Sequence, residues 1–415
     1  MQQCLLATVA MFFLSTCLSA AEWSEFRGPD GQGHVSASPP ISWDAEKHVL
    51  WRKALPGSGW SSPVVSGNRI YLTAAVPVEE SDDLSLQLLI LDADSGELLK
   101  QVEIFQQDAA TAPDIHGKNS HASPTPLVAD DDVYVHFGHQ GTACLTAVGE
   151  LVWKTQELSY PPVHGNGGSP ILFDDLLIFS CDGATDPFVA ALDQRTGEVR
   201  WKTERNSDAS KNFSFSTPLV IEVAGHPQVI SPGSNCVVAY APADGREIWR
   251  VNYEGYSVVP RPVYGHGMVF IATGYDSPSV LAIRPDGEGD VSESHVAWTL
   301  KRGAPNTPSM LLIEDHLYMV SDRGVASCVD ARTGESVWQE RLGGNYSSSP
   351  LFANGRIYCQ SEEGEGVVIN ADPEFKELAR NDLGERTLAS YGVIGNDLLI
   401  RTADHLYRIG SSTEN

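Results

Sequence analysis

The sequence predicts an all-β protein, an eight-bladed β-propeller of four-stranded antiparallel blades closed by the N-terminal strand. Three observations carry this. A unit of four short strands recurs, each copy opening on a small polar run that usually ends in Ser/Thr-Pro. A Gly-bearing turn with a Trp four residues later marks the end of most copies. The mature chain also opens on a lone fourth strand and ends on three strands that lack one.

The anchors Pro63, Pro126, Pro170, Pro218, Pro262, Pro308 and Pro350 stand 63, 44, 48, 44, 46 and 42 residues apart, and an eighth unit opens near Ser390-Tyr391 without the Pro. Repeats of about 40–50 residues carrying four strands are propeller blades. The long first interval holds an acidic insertion around Glu79 to Asp83 and the loop from Phe105 to Ser123. Pro cannot donate to a ladder, so it belongs at a strand's first residue or on an edge, and the first strand of each blade is the edge that lines the axial channel.

The turns Asp92 to Glu97, Asp193 to Glu198 and Asp330 to Glu335 join third to fourth strands. Gly supplies a positive φ there, and Asp or Thr accepts local N–H bonds. Asp92 to Glu97 faintly resembles a calcium loop, but its siblings lack that carboxylate spacing, so a hairpin turn is expected. Trp153, Trp201, Trp249 and Trp338 follow Gly149, Gly197, Gly245 and Gly334 by four residues, and Trp298 takes the same place behind an insertion. On an outer strand such rings are expected to dock neighbouring blades, each burying about 200 Å². Val49 to Leu55 reads like the fourth strands at Leu151 and Val199, while Tyr391 to Ile409 supplies only three strands. Pairing the two ends completes the last blade and removes the open edge.

The expected organisation is a signal peptide over 1–21, an extension over 22–46 that packs on the propeller, the propeller over 47–410 and a tail over 411–415. The first segment has an apolar run, Leu5 to Leu14, too short to span a bilayer, followed by Ser19 and Ala21 as a cleavage signal. Thr16 is a poor residue before a lipidated Cys17, so simple export to the periplasm or medium is expected, and no later segment reads as transmembrane. Beyond the signal, Cys144, Cys181, Cys236, Cys328 and Cys359 form no CxxC, haem or adjacent pair and read as buried strand residues without a disulfide. A net charge of −26 excludes nonspecific attraction to nucleic acid or anionic lipid. There is no GxSxG elbow, HExxH helix or Walker A loop. Gly28 to Gly33 is a polar turn, with no strand leading in and no helix following.

The pattern Ala191-Leu192-Asp193, Thr196-Gly197 and Trp201, with its copy at Val329-Asp330 to Trp338, resembles the pyrroloquinoline-quinone-like (PQQ-like) repeat superfamily. The likeness runs from about Val49 to Ile409, and the opening Trp23, Phe26-Arg27-Gly28-Pro29 is similar to exported propellers of that type. The resemblance implies one of two kinds of protein, a cofactor-free periplasmic scaffold such as BamB or a quinoprotein dehydrogenase holding quinone and calcium over the channel mouth. Such enzymes typically use a carboxylate and an Asn on calcium, a catalytic Asp, a stacking Trp and often an adjacent Cys pair. This chain has no adjacent Cys pair and no haem motif, and the calcium and Asp set does not map onto matching positions. The expectation is therefore a non-catalytic scaffold or binding module that needs no cofactor, with PQQ and calcium as the alternative.

Function in propellers sits on the loops at the channel mouth. Those entering the first strands hold Trp60, then His116, Asn119 and His121, then His164 and Asn166. Further round come Asn212 and Phe213, Arg261, Asn306, Asn345 and Tyr346, and finally Arg386. They form either hydrated loop polarity or a pocket for a small ligand, a sugar or a peptide, with Trp60, Phe213 and Tyr346 as stacking faces. The partner expected at this mouth is another envelope protein or a small ligand. His116, His121 and His164 could bind a metal only if they converge.

Overall fold

A computed structural model describes residues 23–411; the signal segment, Cys17 and most of the tail lie outside the described residues. Eight sheets follow one another round the chain, each built on four antiparallel strands that come in sequence order in all but the last, and two carry a short fifth strand paired parallel at an edge. The first strands are short, such as Val64–Ser66, Leu127–Ala129 and Val263–Gly265, and neighbouring ones touch round the axis. Strand Val49–Ala54 pairs antiparallel with His405–Ile409, so the early chain supplies the outer strand of blade 8. The ring is therefore an eight-bladed propeller latched by its N-terminal strand.

The register explains the recurring Trp. In all eight blades the third-to-fourth strand pairing shifts by one residue just after the turn, as between Leu151 and Trp153. A bulge re-aims the side chain that follows it. Here it lays the Trp ring on the turn of the next blade. Trp51 Nε1 donates to Ala93 O (3.0 Å), Trp153 to Gln194 O (3.0 Å), Trp201 to Pro242 O (2.7 Å) and Trp298 to Ala331 O (3.1 Å). The receiving Gly is needed for two reasons at once. Gly197 has φ +74°, and a Cβ there would lie 2.4 Å from the Trp153 ring. Three blades depart from the rule, blade 7 by carrying Ala379 at the Trp position. Lys100 holds the Trp position in blade 1 and gives its ammonium to Val148 O and Gly149 O (3.0 and 2.9 Å). Trp249 packs against blade 5 strands but donates to Gln228 within its own blade (2.8 Å).

The Asp turns are hairpins, as expected. Asp92 Oδ1 accepts from Ser95 N and Ser95 Oγ (both 2.8 Å), and those bonds hold its carboxyl below the usual range. The five cysteines are buried and free. One anchor is corrected. Ser309 occupies the place that Ser349 and Thr125 hold in their blades, so Met310, not Pro308, stands where the other blades put Pro. The loop entering blade 6 is two residues longer than the Pro spacing implies.

The extension does more than pack on the propeller: it crosses the channel. Trp23 O accepts from Val65 N in blade 1 and Ser24 O from Val128 N in blade 2 (both 2.8 Å). On the far side, Arg27 Nη2 donates to Met310 O in blade 6 (2.6 Å). His34–Val35 then pairs parallel with Phe352–Ala353 of blade 7, and the chain runs outward to the closing strand. Among the described residues no helix is long and apolar enough to cross a membrane.

Candidate functional site

The channel wall is built by strand alternation: residues two apart on a strand face the same side. The residue just before each Pro position forms a belt. Ser62 N–H donates to Thr125 Oγ1, Thr125 N–H to Ser169 Oγ and Ser169 N–H to Thr217 Oγ1, each at 2.9 Å. The belt resumes with Arg261 N–H to Ser309 Oγ (2.9 Å), Ser309 to Ser349 Oγ (3.1 Å) and Ser349 to Ser390 Oγ (2.9 Å). Seven blades supply a hydroxyl, and each bond ties one blade to the next.

The eighth position is Arg261, and it explains how the extension is held. Its guanidinium is buried and donates to Pro218 O (3.0 Å), to Phe26 O (2.5 Å) and to the Glu25 carboxylate (3.4 Å). Burial pushes Glu25 up from its ordinary value, and Arg261 opposes that. Gly31, at φ +65°, turns the extension against this guanidinium where a Cβ would meet it at 2.5 Å. Arg27 beside it is buried, and desolvation with repulsion from Arg261 pushes it down to about 9. Phe26 forms part of the pocket wall above the crossing segment.

Two residues above the belt lies a second tier, one side chain from each blade. It runs Trp60, Ser123, Gly167 and Phe215 through blades 1 to 4. Val259, Thr307, Ser347 and Leu388 complete the circle. With the upper aromatic residues Phe213, Tyr256 and Tyr275 they enclose a cavity of about 270 Å³.

A segment from blade 1 to blade 2 lies across the mouth. Ile115 bridges His164, and His116 N–H donates to His164 O (3.3 Å) in blade 3. On the opposite side Lys118 Nζ meets Glu362 Oε1 of blade 7 (2.6 Å), and Arg386 of blade 8 donates to Gly117 O (2.6 Å). This strap narrows the entrance without sealing the cavity.

Of the residues expected at the mouth, Trp60, His116, Asn119, His164 and Phe213 line this cavity. The rings of His116 and His164 stand 5.6 Å apart, and Phe213 lies between His164 (5.2 Å) and Tyr256 (5.8 Å). Asn119 Nδ2 donates to His164 O (2.9 Å). His121 and Arg386 face a neighbouring pocket behind Trp60, with the Arg386 guanidinium 5.6 Å from the Trp60 ring. Burial pushes His121 down from its ordinary value.

The others are turned to structure. Asn166 is buried, giving Nδ2 to Phe137 O (3.1 Å) and accepting from Tyr160 OH (3.2 Å). Asn212 donates to Ala184 O (3.3 Å), and Asn306 N–H to Asp322 Oδ2 (2.7 Å). Asn345 grips Glu363 through Nδ2 (2.7 Å). Tyr346 offers no stacking face: its ring is fully buried among blade 6 and 7 strands, because it falls one residue out of phase with the channel-facing positions. Arg261 lies below the cavity for the reason given above. The sequence reading missed Phe26, Tyr275 and the belt as wall elements. The signal for the belt was present in the Ser/Thr-Pro pairs, read there as strand starts only.

The comparisons with known proteins agree with this geometry. The PQQ-like repeat family described as "Outer membrane protein assembly factor BamB" matches over 40–166, 87–227, 185–314 and 233–374. The chain belongs to this family. It is 23% identical over 204 residues to the outer membrane protein assembly factor BamB of Yersinia pestis, covering 44% of this chain and 49% of that one, so the match spans about half of the relative. Among solved structures it resembles BamB from Moraxella catarrhalis, with TM-score 0.60, 12% identity and coverage of 88% and 98% of the two chains. It also resembles a europium-containing methanol dehydrogenase, with TM-score 0.64, 11% identity and coverage of 94% and 91%. At such identities the propeller fold is what is shared, and both an assembly factor and a dehydrogenase carry it.

The residues do not fit a metal-bound quinone. No Asp or Glu lines the cavity, and among the described residues no three His, Cys, Asp or Glu gather to hold a metal. His116 and His164 face each other, but His121 opens on the other pocket.

Proposed function

We propose that this protein is an exported, non-catalytic binding module of the cell envelope, BamB-like in architecture, that receives its ligand or the tip of an envelope partner in the channel pocket. The observation that carries this is the wall itself. It is an open-mouthed, aromatic and hydroxyl-lined recess with no carboxylate in its wall, underlain by the chain's own extension. Such a recess gives shape and hydrogen bonds to a guest, and its two imidazoles, His116 and His164, face each other rather than a carboxylate. Family membership and the BamB relatives support the scaffold side of the reading. The likeness to methanol dehydrogenase is met by a wall whose donors do not suit calcium and quinone.

The test uses the mature chain as bait in envelope extract, beside a Trp60→Ala bait. A component retained by the first and lost by the second is the expected result. Retention of nothing by the wild-type chain, or turnover in a dye-linked alcohol assay after adding pyrroloquinoline quinone and calcium, overturns the proposal.

A further inference from the structure

We infer that the channel pocket is a slot for one neutral pyranose ring; the inference rests on the binding-module reading and names its ligand. In a ring of eight blades each blade faces the fourth one on. Across the second tier, Trp60 therefore faces Val259 and Leu388 faces Phe215, which makes two opposed apolar walls. Between them Ser123 faces Thr307, and Ser347 faces the bare backbone of Gly167, which makes two polar edges. A guest with two C–H faces and a hydrogen-bonding rim matches that alternation.

The rim's chemistry is narrower still. Thr307 Oγ1 spends its proton on Asp322 Oδ1 (2.6 Å) and Ser347 Oγ spends its own on Glu362 Oε1 (2.6 Å), so their lone pairs face a guest as acceptors. One tier below, Thr125 and Ser169 each accept an amide N–H (2.9 Å), which leaves the hydroxyl proton to be donated. The two sets stand on opposite edges, Thr307 and Ser347 on blades 6 and 7 and Thr125 and Ser169 on blades 2 and 3, so a guest spanning the slot must give protons at one rim and take them at the other, as ring hydroxyls do and a rim of carbonyls or methyls does not.

Charge excludes the remaining candidates. Lys118 is the one Lys or Arg on the wall, and Glu362 neutralises it at 2.6 Å. A charged guest would be taken from water into a recess without a counter-charge. A wholly apolar guest would strip water from the hydroxyl edges without replacing it.

The test is calorimetric titration of the full mature chain with neutral methyl pyranosides of glucose, galactose, mannose and N-acetylglucosamine. Parallel arms use glucuronate, glucosamine, and 1,3-dimethyluracil, a uracil without N–H donors, as a flat ring with a carbonyl rim. At least one neutral pyranoside is expected to bind, with its charged counterpart and dimethyluracil about tenfold weaker or worse. Thr125→Val and Trp60→Phe are each expected to weaken that pyranoside about tenfold, with thermal melts reporting whether either variant has lost its fold. Binding of dimethyluracil or a charged sugar at equal strength, or of no pyranoside, overturns the inference. If no sugar binds while an envelope component is still held through Trp60, the slot assignment fails and the binding module stands. Quinone-dependent turnover removes the binding module whatever the sugars do.

Discussion

Replacing Gly197 by Ala separates the two demands that blade docking makes on one residue. The position has φ +74°, and a new Cβ would stand 2.4 Å from Cε3 of Trp153. Holding Ala in the left-handed region costs about 1–2 kcal/mol. Carbon atoms pack at about 3.5–4.0 Å, so the ring must also retreat by roughly 1 Å or more. Overpacking of this kind adds about 1–3 kcal/mol. Gly355 is the internal control: its φ is +72° and a Cβ there meets nothing within 4 Å. Guanidinium unfolding should show Gly355→Ala down by about 1–2 kcal/mol and Gly197→Ala down by about 2–5 kcal/mol. In a Trp153→Ala background the excess at Gly197 should vanish, a coupling of about 1–3 kcal/mol. Equal losses at Gly197 and Gly355, or an excess that survives removal of Trp153, would refute the docking argument.

Asp182→Asn should destabilise by about 3–5 kcal/mol in the same assay, because it strands a buried guanidinium. Arg205 reaches Asp182 through Nε (2.6 Å) and Nη2 (2.9 Å) with both side chains fully buried. Burial pushes Arg205 down, and Asp182 outweighs that and holds it above its ordinary value. Glu385 ties the closing strand through Arg52 (2.8 Å) while accepting from Thr402 (2.6 Å) and Tyr407 (2.7 Å). Burial would raise its carboxyl, but those bonds and His405 hold it below the ordinary 4.5. Its contribution is therefore present above that value and lost as pH falls through the lower folded one. Wild-type midpoints should drop more steeply than those of Glu385→Gln on acidification from about pH 5 to about pH 3, and parallel curves would count against the assignment. Arg261→Met should free the channel-crossing segment, seen as faster amide exchange over 24–33 with the blade strands unchanged, and unaltered exchange there would remove Arg261 as its anchor.

The ring was legible because each of its parts repeats. Trp201 on Gly245 tells the same story as Trp153 on Gly197, and the unmatched strand at Trp51 needs the three strands before Ile409. What repetition cannot carry was misread or missed. Pro308 looks like an anchor, yet the register belongs to Ser309 and Met310, because a Pro can sit anywhere in an entering loop without a ladder to break. Tyr346 and Asn345 adjoin a channel-facing stretch, but alternation turns Tyr346 into the core and Asn345 onto Glu363. The extension's path depends on contacts some 235 residues apart in the chain, such as Arg261 with Phe26, for which no local pattern exists.

The two tiers of the channel wall separate what the fold requires from what a guest would read. Seven of eight belt positions are Ser or Thr, and at six of them the hydroxyl takes the preceding blade's amide and so holds the ring together; changing one of those strands a buried N–H. The tier above lacks that constraint. Its eight residues run from the bare backbone of Gly167 to the indole of Trp60, although all share one register on equivalent strands. Blade docking does not demand this variety, since the docking groups lie on the outer strands and their turns. Phe215 and Leu388, Thr307 and Ser123 are therefore free to differ, and their opposition in pairs gives the recess two unlike axes. A guest that binds along one of them should be sensitive to substitutions in this upper tier that leave thermal stability unmoved, whereas belt substitutions should alter both.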